Sequence, residues 1–300
     1  MGNSDFVTRR VLATGATGAV GPAVVRALVE EGWQVRALVR RDPPPDLLPP
    51  GVELVRGDLL DAASLRRAVE GVDAVVHMAA LLHGQRGDAR AMNVDATRTL
   101  VDAASGKRFV FFSTITVYGG GGPFDEDSPA RPATEYARTK LEAEKIVLDA
   151  GGVVLRLAAV YGSRMEGHYA TLVRALARGM FPLIGMGDNH RTLVHESDLA
   201  QAVILALGAP AGGRLYNVTD GTTHAMRDII AAIAAALGKP APRLRVPLPL
   251  ARAAGAIVPK LGARLDKYLE DVRVDGSRIA RELRFIPRYD LESGWRKALS

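Results

Sequence analysis

Residues 11–21 constrain the fold more than any other part of the chain. They form a short apolar run that ends in three glycines spaced three residues apart, and a helical pattern follows. Gly15 allows a turn that a side chain would block, Gly18 lets the backbone approach a ligand, and Gly21 lets the helix pack closely on the strand. A strand, a glycine turn and a helix in this order present free N–H groups and a helix dipole to a pyrophosphate. The segment therefore predicts a dinucleotide site, with a plain tight turn as the alternative.

Strand and helix patterns alternate through the first half of the chain. We predict strands at 10–14, 34–39, 52–55, 72–78 and 108–112, and helices that include 62–70, 89–104 and 135–149. Such alternation is typical of a doubly wound parallel sheet in an α/β protein. The carboxyl ends of its strands lie along one edge, where ligands bind. We therefore expect a Rossmann fold.

Composition excludes several classes of protein. The 300 residues include no cysteine, so disulfides and thiolate metal sites are excluded. The six histidines lack the spacing of a metal site, and we predict no metal. No stretch has the roughly 18 apolar residues of a membrane span, and the N-terminus has no signal-peptide core. We therefore expect a soluble, cytoplasmic protein with no membrane partner.

The net charge of +6 raises the question of nucleic-acid binding. The 39 basic residues are dispersed among 33 acidic ones. A dispersed charge predicts a solvated basic surface and no nucleic-acid partner.

The residues after the second strand bear on the choice between NAD and NADP. A carboxylate there would bind the ribose 2′-hydroxyl of NAD, whereas arginine favours the 2′-phosphate of NADP. The chain has Arg40 and Arg41 at this point, and guanidinium groups form bidentate phosphate contacts. We predict NADP as the preferred cofactor, with NAD as the alternative. Asp58, after the third strand, would bind the adenine amine or cap its own loop.

Candidate catalytic residues follow the fifth strand. Hydroxyl side chains cluster at 113–116, and Tyr136 and Lys140 lie four residues apart, on one face of the predicted helix. A nearby ammonium stabilises a phenolate, so we expect Lys140 to lower the pKa of Tyr136. Tyr136 would then exchange a proton with a substrate oxygen held by Thr114, with Ser113 as the alternative to Thr114. Lys140 would also contact the nicotinamide ribose.

These motifs together resemble the extended short-chain dehydrogenase/reductases, also called the NAD-dependent epimerase/dehydratase family. The matching segments are 14–21, 57–58, 77–80, 93–97, 113–119, 136–140, 161–162, 191–199 and 216–220. The resemblance implies catalysis by Thr114, Tyr136 and Lys140, and homodimers formed through the helices of Asn93 and Tyr136. It also implies a Rossmann domain at 1–162, to which 190–218 return, and a smaller substrate-binding lobe at 163–189 and 219–300.

The predicted site residues divide into two further groups. The cofactor-binding group is Gly15, Thr17, Gly18, Ala19, Val20, Arg40, Asp58, Leu59, Ala79, Ala80, Tyr136 and Lys140. The substrate group is Thr116, Ala159 and Arg191. His77 is either a satisfied strand-end histidine or a cofactor contact, and Asn93 either bends its helix or has a functional role.

The second half of the chain bears on the substrate. Ala159 stands where sugar-nucleotide enzymes of the family have an asparagine that contacts the diphosphate, which counts against such a substrate. Arg191 does match a diphosphate-binding arginine of those enzymes. The segment from Tyr216 onward is more similar to the 3β-hydroxysteroid dehydrogenase and dihydroflavonol reductase-like branches. Residues 246–258 form an apolar run, for which we predict a core helix, with a cover over an apolar substrate as the alternative.

The function that these observations predict is an NAD(P)-dependent oxidoreductase that interconverts a secondary alcohol and a ketone. The substrate would be a small apolar or mixed organic molecule, and the glycine run at 119–122 would form a mobile gating loop. One alternative is a nucleotide-sugar epimerase or dehydratase with tightly bound NAD. Another is a non-catalytic NAD(P)-sensing protein, because the fold alone does not determine function.

Overall fold

The computed structural model describes residues 9–82, 85–179 and 181–300. The strands are β1 (Arg10–Thr14), β2 (Gln34–Val39), β3 (Glu53–Arg56), β4 (Ala74–His77), β5 (Arg108–Thr114), β6 (Gly121–Phe124), β7 (Val153–Leu157), β8 (Ala159–Tyr161), β9 (Leu183–Ile184), β10 (His190–His195), β11 (Arg214–Val218), β12 (Thr223–Ala225), β13 (Arg245–Val246) and β14 (Val272–Val274). The α-helices are α1 (Gly21–Glu30), α2 (Ala62–Val69), α3 (Ala96–Ala103), α4 (Glu135–Asp149), α5 (Gly167–Ala177), α6 (Glu196–Leu207), α7 (Met226–Ala236), α8 (Leu248–Ile257), α9 (Pro259–Leu269), α10 (Ser277–Leu283) and α11 (Leu291–Leu299).

The large sheet has the order β11-β7-β5-β4-β1-β2-β3, and each neighbouring pair is parallel. Its two faces bury separate apolar cores. In β1, Val11 and Ala13 belong to one core, which includes α1 and α6, whereas Leu12 belongs to the other, which includes α2, α3 and α4. Side chains alternate along a strand, so one apolar run contributes to both cores. The predicted α/β Rossmann fold is confirmed.

A second sheet joins distant parts of the chain. Strand β10 pairs with β8, β12 and β14, and β14 pairs in turn with β6. Strand β6 contains part of the glycine run predicted as a mobile loop, and the Gly121 N–H donates to the Asp271 carbonyl at 2.7 Å. That prediction is wrong for Gly121 and Gly122, because they belong to a paired strand. The partner segment lies too far along the chain for local pattern to reveal the pairing.

The predicted helix at 89–104 is interrupted. A π-helical turn at Ala91–Asp95 precedes α3. The side chain of Asn93 donates to the Leu81 carbonyl at 3.0 Å and to Thr139 Oγ1 at 3.1 Å, and it accepts the Leu81 N–H at 2.7 Å. Asn93 thus has the helix-distorting role and ties the loop after β4 to α4.

The apolar run at 246–258 does form a helix, but not a core helix. Within α8 only Ala251 and Gly255 are buried, while Leu250 is 64% exposed and Ile257 is 82% exposed. The prediction of a core helix is therefore wrong. No helix of the described residues is long and apolar enough to cross a lipid bilayer.

Candidate active site

A cavity of about 1300 Å³ runs along the carboxyl ends of the large sheet and continues beneath α9. All the residues predicted for the cofactor, for catalysis and for the substrate line it. They come from the carboxyl ends of β1 to β5 or the segments that follow them, and from α4, β8 and β10. Parallel strands place their carboxyl ends at one edge, which explains how such distant residues come together.

The glycine turn forms the wall of the cavity next to β1. Gly15 has a φ of +73°, and a Cβ there would lie 2.7 Å from the Ala79 backbone nitrogen. A Cβ on Gly21, where α1 begins, would lie 2.3 Å from the Ala16 carbonyl oxygen. Among the described residues no side chain caps α1, so its first N–H groups are free for an anion. These features fit a dinucleotide pyrophosphate.

His77 lies behind this wall and is a structural residue. Its Nδ1 lies 2.6 Å from Thr14 Oγ1, and its Nε2 lies 3.0 Å from Thr97 Oγ1. Burial, with the nearby Lys140 charge, lowers the pKa of His77 to about 3. The imidazole is therefore neutral and fully hydrogen-bonded, which is the first of the two roles predicted for it.

Arg40 and Asp58 line the outer part of the cavity. Arg40 follows β2 and is exposed, so its guanidinium can meet a ligand from solvent. The Asp58 carboxylate accepts the Leu60 N–H at 3.0 Å, and the Asp58 carbonyl accepts the Ser64 hydroxyl at 2.8 Å. Asp58 thus caps its own loop, and it also lines the cavity.

Thr114 ends β5 with its side chain on the cavity. Its Oγ1 accepts the Thr116 N–H at 3.2 Å and lies 3.0 Å from Thr116 Oγ1. Ser113 is buried, and its hydroxyl donates to the Glu144 carboxylate. Ser113 also lines the cavity, but its hydroxyl is already paired with Glu144, which favours Thr114 as the candidate.

Helix α4 presents Tyr136 and Lys140 to the same cavity. The Thr134 side chain caps the helix by accepting the Ala137 N–H at 3.2 Å. Burial raises the pKa of Tyr136 to about 12. The expectation that Lys140 lowers this pKa is therefore wrong for the structure, in which desolvation of the phenol dominates. At neutral pH the phenol carries its proton.

Lys140 is almost fully buried, and its Nζ lies 3.8 Å from the centre of the Phe111 ring. Burial lowers the pKa of Lys140 to about 7, against an opposing effect of the Glu144 carboxylate. Its ammonium and neutral forms are thus close in free energy at neutral pH. Hydroxyl groups of a nucleotide ribose placed beside it would favour the charged form.

The sequence analysis missed a buried polar network behind Lys140. Glu144 and Arg156 form an ion pair at 2.6 Å with side chains 2% and 6% exposed. The Arg156 guanidinium lies over the Tyr118 ring, and the Tyr118 hydroxyl donates to Asn217 at 2.8 Å. The signals available were a charged residue inside the apolar strand β7 and a glutamate four residues after Lys140, and neither specifies a partner.

The far end of the cavity contains Ala159 and Arg191. Arg191 donates to the Glu270 carboxylate at 3.0 Å and to the Lys267 carbonyl. The Lys267 ammonium lies 2.6 Å from the same carboxylate oxygen of Glu270. Although burial opposes it, these two cations hold the pKa of Glu270 below its usual value. Arg191 is thus already paired within the protein. Its partners lie far from it in the sequence, so no local pattern predicts the pairing.

The fold and the site together define an NAD(P)-dependent oxidoreductase of the short-chain type. The chain matches the model of the NAD dependent epimerase/dehydratase family over residues 11–219. The chain belongs to this family. In the described residues no group of three or more histidine or acidic side chains is placed to hold a metal ion.

Curated relatives include both reductases and sugar-nucleotide enzymes. The chain is 30% identical to a 4-hydroxy-2-methyl-3-oxo-4-farnesyl-3,4-dihydroquinoline-1-oxide ketoreductase of Stigmatella aurantiaca, over 95% of this chain and 94% of that protein. It is 32% identical to a dTDP-glucose 4,6-dehydratase of Streptomyces griseus, over 96% and 92%. The structure of MoeE5 in complex with UDP-glucuronic acid and NAD is similar, with a TM-score of 0.79, 27% identity and 97% coverage of both chains.

Proposed function

We propose that the protein reduces a ketone to a secondary alcohol, and catalyses the reverse oxidation, with Tyr136 as the acid and base. The observation that carries the proposal is the single cavity shared by the glycine turn, Thr114, Tyr136 and Lys140. A bound nicotinamide dinucleotide supplies the hydride to the carbonyl carbon, or takes it in the reverse direction. Thr114 donates a hydrogen bond to the substrate oxygen, and Tyr136 transfers its phenolic proton to that oxygen.

Tyr136 rests in the protonation state that the reduction step uses. Burial keeps its pKa near 12, so at neutral pH it holds the proton that reduction consumes. Lys140 lies one helical turn away, and once a bound ribose favours its charged form it would oppose the effect of burial on the phenolate left after proton transfer. The protonated phenol can thus act as the acid of the reduction step at neutral pH, and the reverse oxidation would use its phenolate as the base.

NADP is the cofactor that we propose, with NAD as the alternative. The position after β2 has the exposed Arg40 and no carboxylate. A guanidinium at this point favours a 2′-phosphate. The cofactor would contact the predicted residues from Gly15 to Val20, then Arg40, Asp58 and Leu59, and finally Ala79 and Ala80 near the nicotinamide.

The substrate that we propose is a small apolar or mixed organic molecule, contacted by Thr116, Ala159 and Arg191. Next to the catalytic residues, the cavity has the side chains of Leu157, Val160 and Met165. Ala159 supplies no polar side chain, and Arg191 is already neutralised by Glu270. A diphosphate would therefore have to displace a carboxylate from Arg191, at a cost in free energy.

A nucleotide-sugar epimerase or dehydratase is the second candidate, since Arg191 does line the cavity. Such an enzyme re-reduces its own intermediate, so it would retain NAD. A non-catalytic NAD(P)-sensing protein is the third candidate. It would bind the cofactor without turnover and would be indifferent to loss of the Tyr136 hydroxyl.

The remaining features proposed here concern organisation. The Rossmann domain would comprise 1–162 and 190–218, with the substrate lobe at 163–189 and 219–300. Homodimers would form through α3 and α4, and the protein would be cytoplasmic. Sedimentation velocity tests the homodimer directly.

Mass spectrometry of nucleotide released from the freshly purified, denatured protein distinguishes the candidates. A ketoreductase that exchanges its cofactor releases little nucleotide, or some NADP. Stoichiometric NAD would favour the epimerase and would contradict the role of Arg40. A panel of ketones with NADPH and NADH, monitored at the nicotinamide absorbance, then tests turnover. Cofactor binding without turnover of any ketone or sugar nucleotide would favour the sensor.

A further inference from the structure

Residues 229–265 differ in charge from the rest of the chain. They include no acidic residue and six basic ones, which are Lys239, Arg243, Arg245, Arg252, Lys260 and Arg264. The other 33 basic residues equal the 33 acidic residues in number. The charge of this segment thus equals the net charge of +6 of the whole chain.

The same segment exposes apolar side chains. On α8, the exposed residues Leu250, Ala253, Ala254 and Ile257 recur at the spacing of one helix face. Leu244 is 69% exposed and lies between the exposed Arg243 and Arg245. A helix that turns an apolar stripe toward solvent, next to basic residues, has the pattern of an interfacial helix.

The outward orientation of α8 results from how it packs. The helix contacts α9 at a close crossing, where a Cβ on Gly262 would lie 2.8 Å from the Gly255 carbonyl oxygen. Ala251 and Gly255 face this crossing and are buried. Since small residues occupy the packed face, the large apolar side chains of α8 are left on the opposite face.

Helix α9 connects this surface to the cavity. Ala263, Asp266 and Lys267 of α9 line the cavity on its inner side. The α8–α9 hairpin thus covers the cavity on one side and presents Leu250 and Ile257 on the other.

We propose that the α8–α9 hairpin docks on an anionic lipid surface, with the exposed face of α8 inserted between the headgroups. Basic residues are attracted to anionic lipids, and aliphatic side chains gain free energy in the acyl boundary. A nucleic acid would bind the basic residues through its phosphates, but it would provide no apolar surface for Leu250 and Ile257. Docking on a surface is distinct from spanning a membrane, and it departs from the sequence-based expectation of no membrane partner. It does not depend on the reaction catalysed in the cavity.

Vesicle co-sedimentation of the full-length protein tests the docking. We expect binding to vesicles of phosphatidylcholine with phosphatidylglycerol, little binding to pure phosphatidylcholine, and weaker binding when NaCl rises from about 0.05 M to about 0.5 M. The double substitution Leu250→Ser/Ile257→Ser should lower the partition coefficient about tenfold or more. Arg243→Gln/Arg245→Gln should have a similar effect at low salt.

Leu54→Ser/Ile286→Ser is the matched control, since it removes two exposed aliphatic side chains elsewhere and should leave lipid binding unchanged. Absence of binding by the wild-type protein would overturn the proposal, as would equal binding of Leu250→Ser/Ile257→Ser. If the protein binds a DNA duplex, and Leu250→Ser/Ile257→Ser binds it equally well, the basic residues would serve nucleic-acid binding and the lipid proposal would be wrong. If sedimentation velocity shows a dimer of the wild-type protein and a monomer of Leu250→Ser/Ile257→Ser, the exposed face of α8 would be a contact with a second copy, and the lipid proposal would be wrong.

Discussion

Glu144 and Arg156 form a buried ion pair directly beneath the candidate catalytic lysine. The pair is 2.6 Å long, and Glu144 lies one helical turn after Lys140 on α4. Arg156 also contacts the Tyr118 ring, and Glu144 accepts the Ser113 hydroxyl. The pair thus joins α4, β5 and β7 at the point where they supply the catalytic side chains.

Removal of Arg156 alone should strongly destabilise the fold. In Arg156→Met the Glu144 carboxylate stays buried without its cation, and we expect a loss of about 3–5 kcal/mol in the free energy of unfolding. The double substitution Glu144→Leu/Arg156→Met should recover most of this loss, because neither member of the ion pair is then left as a buried charge without its partner. Urea denaturation measures both. A double variant as unstable as the single one would contradict this account.

Tyr136→Phe tests the proton transfer. The variant lacks the phenolic proton but keeps the ring, so we expect turnover to fall by about 10²-fold or more while cofactor affinity changes little. Steady-state kinetics and fluorescence titration with NADPH measure the two quantities. Tyr289→Phe removes a phenol outside the cavity and should leave turnover near that of wild type. Normal turnover in Tyr136→Phe would refute the assignment.

Lys140→Met should separate stability from function. Burial lowers the pKa of Lys140 to about 7 in the folded protein, against 10.5 for a lysine side chain in water. Between these pH values the unfolded chain binds a proton that the folded protein does not, so the free energy of unfolding of the wild type rises with pH. Without cofactor, Lys140→Met should therefore be more stable than wild type at pH 7, by about 2–4 kcal/mol, and inactive.

This stability difference should narrow as pH rises from 7 toward 10.5, because the wild-type lysine then loses its proton in the unfolded state as well. Thermal unfolding of both proteins across this range is the measurement. A difference that is independent of pH would show that Lys140 is not desolvated in solution.

Arg40→Ser tests cofactor choice. Loss of a charge-assisted contact with the 2′-phosphate should weaken NADPH binding by about 10- to 100-fold and leave NADH binding almost unchanged. Arg66→Ser, on the exposed side of α2, is the matched control. Equal effects on the two cofactors would show that Arg40 does not read the 2′-phosphate.

Glu270→Gln tests whether Arg191 is prevented from binding a diphosphate. The amide no longer neutralises Arg191 and Lys267, so UDP should bind about tenfold tighter or more, as measured by calorimetry. Glu292→Gln, at an exposed position of α11, should have no effect. Unchanged UDP affinity in Glu270→Gln would mean that Arg191 does not face a nucleotide subsite.

Short-range patterns were enough to predict the glycine turn and α4. Gly15 has the positive φ of a turn, Gly21 lies against the nearby Ala16 backbone, and α4 begins at the predicted residue, with Thr134 as its N-cap. These features depend on local sterics and capping, which a single sequence contains.

The substrate side depends on contacts between distant residues, which local pattern does not record. Arg191 and Glu270 are 79 residues apart, so the sequence showed an arginine but not the carboxylate that neutralises it. The direction of the Tyr136 pKa shift was predicted wrongly. The shift is set by burial of the phenol among residues from distant parts of the chain, whereas the prediction considered only the neighbouring lysine. The apolar pattern of α8 likewise did not reveal which of its faces is packed.

The pairing of β6 with β14 has a consequence for where this chain can be divided. A fragment ending at residue 219 would keep every strand of the large sheet and also Thr114, Tyr136 and Lys140. It would lose β14, which leaves β6 as an unpaired edge, and it would lose Arg278, the cation beside the buried Glu126. The last eighty or so residues therefore complete the packing of the half that contains the catalytic residues. The smallest fragment that folds as an enzyme should be nearly the whole chain.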